Sequence, residues 1–195
     1  MLSPARPLRA LLVEDQDGDA ELLMALLGSA GHAFSWTRVQ TEADYRAALG
    51  ARPDIVFSDY HLPRFSGLRA LQILREGELD IPFILISGAI TEPEAIEVIR
   101  LGADDFLLKD RLGRISAAID GAFERRRLRD RALRNEARLQ AFLDNTPSPT
   151  FIKDTEGRYL HVNPRFLQAF GIDAAAVIGR TDTEVFGAEQ AAAFT

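Results

Sequence analysis

The stretch LRALLVEDQDGDAELLMALLG, residues 8–28, decides the fold class. Its first part, Leu8 to Val13, is an apolar run the length of one strand that breaks off into the acidic EDQDGD of residues 14–19. A helical spacing of Ala20, Leu22, Leu23, Leu26 and Leu27 follows and stops between Gly28 and Gly31. Apolar run, polar loop and helical period in that order read as strand, loop, helix. The unit then recurs. Phe34 to Val39 is a second strand, and Thr41 to Leu49 a helix whose Thr41 and Asp44 resemble a capping box. Asp54 to Ser58 is a third strand, with a helix through Leu68, Leu71 and Leu74 behind it. Phe83 to Ser87 is a fourth, followed by a helix capped at Thr91 with Glu94 three residues on. Asp105 to Leu108 is a fifth, with a helix starting after an Asp110 N-cap. Five strands alternating with five helices, the inner strands apolar throughout, predict a five-stranded parallel sheet covered on both faces, an α/β doubly wound fold.

Beyond Leu112 the helical period runs on through Phe123, Leu128, Leu133, Leu139 and Phe142 to about Asn145, longer than a typical globular helix. Ile115, Ile119, Ala122, Ala132 and Leu139 are the candidate seam of an amphipathic connector that pairs with a second copy. The arginine-rich ERRRLRDRALRNEAR of residues 124–138 reads either as a basic arm or as a solvated helix face. Its interleaved Glu124, Asp130 and Glu136 favour the solvated face. Pro147 to Pro149 breaks the helix. FIKDTEGRYLHV, residues 151–162, predicts a hairpin turning near Glu156 and Gly157, and Asn163 with Pro164 opens another helix. The roughly fifty residues after the helix are short for a core of their own, so this region reads either as part of a larger α+β domain or as one that leans on a partner. The expected division is 1–125, 126–145 and 146–195.

A formal charge of -6 disfavours a whole-molecule binder of nucleic acid or anionic membrane. With no cysteine, the chain has no disulfide framework, cysteine-ligated metal or thiol nucleophile. His32, His61 and His161 lie too far apart for a local metal motif, and His32 and His161 are expected at the surface. Arg9 interrupts the first apolar run, and Pro82 to Ile90 falls short of the roughly 20 residues that span a bilayer. A cytoplasmic location is expected.

In an open parallel sheet, ligands collect beyond the carboxyl ends of the strands. Glu14 and Asp15 follow the first strand, Asp59 ends the third, Ser87 ends the fourth and Lys109 follows the fifth, so four strands deliver polar groups to one rim. Three carboxylates there repel one another unless a cation joins them, and oxygen-only donors suit Mg²⁺. Lys109 adds a positive charge and Ser87 a hydroxyl, the parts phosphoryl transfer requires. Asp17 and Asp19 read simply as acids favouring the first helix dipole.

LLVEDQDGDAELL (11–23), VFSDYHLPRFSGL (56–68), FILISGA (83–89) and GADDFLLKD (102–110) together resemble the receiver domain of two-component response regulators, over about Leu8 to Phe123. The resemblance implies a flavodoxin-like fold in which Asp59 accepts phosphate from a phosphohistidine of a kinase or phosphotransfer protein. It further implies that Glu14, Asp15, Asp59 and the backbone carbonyl of His61 hold Mg²⁺, with Asp15 the more direct ligand of the acidic pair. Ser87 and Lys109 then hold the phosphoryl group, and Phe106 is the aromatic partner of Ser87 in a switch. The His61 side chain is expected to be partly exposed and without chemistry. One departure stands out: the family usually places proline after this lysine, and here Asp110 follows. FLDNTPSPTFIKDTEGRYLHVNPRFLQAFGI (142–172) with VIGRTDTEVF (177–186) is similar to the opening of a PAS sensor domain.

A receiver joined through a helix to PAS implies the input end of a hybrid sensor histidine kinase or a cyclic-di-GMP enzyme. This chain itself would carry only its own phosphorylation on Asp59. The competing expectation is a constitutive dimerisation or docking module whose acidic pocket does not signal. A small-molecule phosphatase is a third, but it lacks a second catalytic acid where Tyr60 and His61 follow Asp59.

Overall fold

The computed structural model describes residues 7–29 and 33–191. The chain divides into two compact units, Met1–Arg129 and Asp130–Thr195. In the first, β1 (Leu8–Val13), β2 (Phe34–Val39), β3 (Ile55–Asp59), β4 (Phe83–Ser87) and β5 (Asp105–Leu108) form one sheet in the order β2-β1-β3-β4-β5. Every pairing is parallel. The connecting helices are α1 (Asp17–Ser29), α2 (Glu42–Leu49), α3 (Gly67–Glu76) and α4 (Glu92–Arg100), with α5 (Ile115–Asn145) after β5. This is the flavodoxin-like doubly wound fold expected from the sequence, and its strand order reverses between β1 and β3.

Period-two alternation divides the inner strands between two cores. Leu11, Val13, Val56, Phe83 and Leu85 pack with α2, α3 and α4 residues such as Tyr45, Leu71, Leu74 and Val98. Ala10, Leu12, Ile55, Phe57, Ile84 and Ile86 pack on the other face with Leu23 and Leu27 of α1 and Ile115 and Ile119 of α5. Helix starts follow the side chains that satisfy them: Thr41 and Ser66 accept from the amides of Asp44 and Arg69, and the Thr91 amide donates to Glu94 at 2.7 Å.

Several expectations shift. β3 begins one residue later than Asp54, whose carboxylate instead accepts from the Arg9 amide at 2.9 Å. Its end moves likewise, so Asp59 is a strand residue, and the Tyr60 amide still donates to the Ile86 carbonyl. Asp110 is not a helix N-cap: Leu108 is the last extended residue, and Asp110 falls in the first turn of a 3-10 segment, Lys109–Arg114. Arg111 breaks that segment at φ -128 and ψ 31, and α5 proper begins at Ile115. Among the described residues no peptide bond is cis.

Of the proposed seam, Ile115, Ile119 and Ala122 are buried against the sheet and cannot meet a second copy, whereas Ala132 and Leu139 are exposed. Within the arginine-rich stretch, Arg125 pairs with Asp104, Arg126 and Arg129 with Asp80, and Arg127 with Glu124.

In the second unit β6 (Phe151–Lys153) and β7 (Tyr159–Val162) pair antiparallel, and Gly157 at φ 79 supplies the left-handed turn residue between them. Asn163 caps α6 (Pro164–Phe170), and α7 (Asp182–Ala191) follows a short 3-10 turn at Ala174–Ala176. Tyr159, Val162, Phe166 and Val177 form a small core ringed by Phe170 and Phe186. His161, expected at the surface, is half-buried with Nε2 3.7 Å from Asp144. His32 lies outside the described residues. None of the described helices is long and apolar enough to cross a membrane.

Candidate functional site

The rim formed by the carboxyl ends of β1, β3 and β5 gathers the charged groups of the first unit. Asp59 is the last residue of β3, a strand hydrogen-bonded on both sides, and the residue is only 7% exposed. Glu14 and Asp15 follow β1, and Lys109 follows β5. One carboxylate oxygen from each of Glu14, Asp15 and Asp59 lies within 4.8 Å of the others.

The Lys109 ammonium donates to Asp59 Oδ2 at 2.7 Å, to Glu14 Oε2 at 3.2 Å and to Asp19. The remaining acceptors are partly satisfied by backbone: Glu14 Oε1 takes the Gln16 amide at 2.9 Å and Asp59 Oδ1 the His61 amide at 3.2 Å. Beyond Asp59 an open cleft of about 560 Å³ is lined by Asp15, Gln16, Tyr60, His61 and Ser66.

Charge dominates this corner. Burial pushes the Glu14 carboxyl above its usual range, and the neighbouring Asp59 charge adds to that, against the opposing pull of the Gln16 amide and Lys109. Burial works to lower Lys109, but its bonds to Asp19 and Asp59 outweigh it and hold the ammonium well above its ordinary value. Four carboxylates against one ammonium leave the pocket formally in negative excess. A cluster of hard oxygen donors in such excess fits Mg²⁺, and no thiolate competes, since the chain has no cysteine.

Not every expected residue is drawn in. Ser87 is fully buried, and its hydroxyl donates to the Ala89 carbonyl at 2.6 Å rather than to the pocket. Phe106 is half-buried against the α2, α3 and α4 core. The His61 side chain is exposed, its ring edge-on to Tyr60. Asp19 is a correction, because it reaches across 90 residues to Lys109 and lines the same pocket instead of merely favouring the dipole of α1. Asp17 likewise pairs with Arg38. Gly67 is a second residue the motifs did not single out, for a Cβ there would lie 2.4 Å from the Asp59 carbonyl oxygen.

The doubly wound sheet thus carries a lysine-bridged acidic pocket at its switch point. The response regulator receiver domain model matches residues 10–120, so the chain belongs to the response regulator receiver family of two-component signalling. Residues 143–195 match a PAS fold model. The transcriptional regulatory protein QseB of Haemophilus influenzae is 30% identical over 120 residues, 61% of this chain and 54% of that protein. DltR of Streptococcus agalactiae is 31% identical over 102 residues, 52% of this chain and 45% of its own length. The chain thus spans about half the length of these curated relatives. Among solved structures, the receiver domain of NtrX from Brucella abortus is 28% identical with a TM-score of 0.53, covering 59% of this chain and 98% of that one. The receiver domain of a signal transduction histidine kinase from Syntrophus aciditrophicus is 25% identical with a TM-score of 0.51, covering 60% of this chain and 91% of that one.

Proposed function

We propose that this chain is a phosphorylation-driven switch in which Asp59 accepts a phosphoryl group from the phosphohistidine of a histidine kinase or phosphotransfer protein. The observation that carries the reading is the Asp59 carboxylate fixed at the end of β3, with Glu14 and Asp15 beside it and the Lys109 ammonium 2.7 Å away. An Asp59 oxygen attacks phosphorus, the phosphorus–nitrogen bond of the donor breaks, and the imidazole leaves with the electron pair and takes up a proton. Glu14, Asp15, Asp59 and the backbone carbonyl of His61 would hold Mg²⁺, which would neutralise phosphoryl charge. Lys109 exchanges a carboxylate for a phosphoryl oxygen. Ser87 releases the Ala89 carbonyl to bond another, and Phe106 rotates into the space it vacates. A few kcal/mol of bias suffices for such a two-state element.

The receiver is assigned to 1–125, a helical linker to 126–145 and a PAS-like region to 146–195. The resemblance to the receiver of a signal transduction histidine kinase supports an output in a hybrid sensor histidine kinase; a cyclic-di-GMP enzyme is the alternative output. The chain acts as a cytoplasmic homodimer joined through α5, without nucleic acid or membrane as a partner.

Intact-mass spectrometry of wild type and Asp59→Asn after incubation with acetyl phosphate, with and without Mg²⁺, tests the chemistry. One phosphate adduct is expected in wild type, dependent on Mg²⁺ and absent from the variant. An adduct that persists in Asp59→Asn overturns the assignment. No adduct from any donor transfers the weight to a constitutive docking module.

A further inference from the structure

We propose that the face of α5 carrying Leu128, Ala132, Asn135, Leu139 and Phe142 packs against the same face of a second copy as a parallel, in-register two-stranded coiled coil. The inference rests on the homodimer reading above and assigns its seam, direction and register. The five residues follow one another at intervals of four, three, four and three, the alternation that keeps one stripe of a helix facing a partner. All five are exposed, Leu128 at 53%, Leu139 at 54% and Phe142 at 71%. The stripe begins where the sheet-facing stripe of α5 ends: Ile115, Ile119 and Ala122 are buried in the core, and Arg125, the next seam position upstream, reaches back to the Asp104 carbonyl at 2.7 Å. Leu133 lies beside Ala132, off the seam.

The flanking charges supply the direction. With Ala132 and Leu139 at the first apolar position of each heptad, Glu124 and Arg131 occupy the preceding flank, and Arg129 and Glu136 the opposite one. In a parallel in-register pair, each residue of the first flank faces the residue five positions later on the other helix. Glu124 then meets Arg129 and Arg131 meets Glu136, opposite charges in both cases and repeated by the two-fold symmetry. Arg129 also touches Asp80 within its own chain at 3.2 Å and is half exposed, so it remains free to share the second acid. An antiparallel pair with the seam fully overlapped sets Arg131 against Arg138 instead. Asn135 supplies the register, since a polar side chain inside an apolar seam is best satisfied by its own counterpart directly across.

The absence of cysteine makes single-cysteine variants of the full chain clean probes. Under mild oxidation, Ala132→Cys is expected to give a disulfide-linked dimer. Arg134→Cys, on the far side of the helix, is expected to stay uncrosslinked. Light scattering of wild type is expected to give a dimer. A wild-type dimer in which Ala132→Cys fails to crosslink overturns the register and leaves the homodimer reading standing, whereas a monomer at all concentrations overturns both. Arg131→Glu sets like charges across the seam and is expected to weaken the dimer about fivefold or more. The double Arg131→Glu/Glu136→Arg variant is expected to recover the wild-type affinity, and its failure to do so overturns the flank pairing.

Discussion

At the residue scale the pocket is set by what stands next to Asp59. Gly67 opens α3 directly over the end of β3, and even one added methyl group meets the Asp59 carbonyl at 2.4 Å and the Tyr60 Cα at 3.1 Å. Backbone cannot yield as a side-chain tip can. Gly67→Ala is therefore expected to lower unfolding free energy by about 1–3 kcal/mol in urea titration and to slow adduct formation at Asp59 as well. Ordinary stability with full labelling would show that α3 shifts freely. Asp59, its acidic neighbours and the lysine were legible in the sequence because each stands at or just beyond a strand end, and strand ends of a parallel sheet converge. Asp19 was not, since a first-turn acid is indistinguishable in one dimension from one that favours a helix dipole. The direction in which Ser87 spends its hydroxyl depends on the turn through Gly88 and Ala89, which no pattern specifies.

At the scale of elements, all five strands and their helices were foreseen from apolar runs and punctuation, while joints and faces were not. The Asp110 assignment failed because helix periodicity does not distinguish a 3-10 lead-in from a first α-turn. The seam assignment failed because one helix carries two apolar stripes in succession, and a single pattern drawn through both mixes sheet-facing residues with exposed ones. In the second unit Asn163 joins several backbone segments at once. Its side-chain oxygen accepts from the Thr150 and Phe166 amides at 2.9 Å each, and its nitrogen donates to the Leu143 carbonyl at 3.1 Å and to that of Ser148 at 2.9 Å. The residue is fully buried. Asn163→Ala removes a helix cap and orphans buried carbonyls together, so a loss of roughly 2–4 kcal/mol is expected in this unit. The check is far-UV circular dichroism, in which the transition of the second unit should move to lower denaturant.

For the whole molecule, two compact units predict two separate unfolding events. The chain has one tryptophan, Trp36, and it lies on β2, so its fluorescence reports the first unit. Circular dichroism reports helices of both. The two probes are expected to give different midpoints in urea, with the fluorescence transition at higher denaturant, because the first unit holds two extensive cores and the second a core of a few side chains. Superimposable curves would mean a single cooperative body. The position of β3 carries a last consequence. Flanked by β1 and β4, it keeps its amides in ladders on either side, whereas the short 3-10 segment that bears Lys109 hangs from an edge strand. Amide protons around Asp59 should therefore exchange with solvent only when the unit opens globally, and those after Lys109 through local fraying. The pocket thus joins the slowest-breathing part of the sheet to one of its fastest, an anvil beneath a movable hammer.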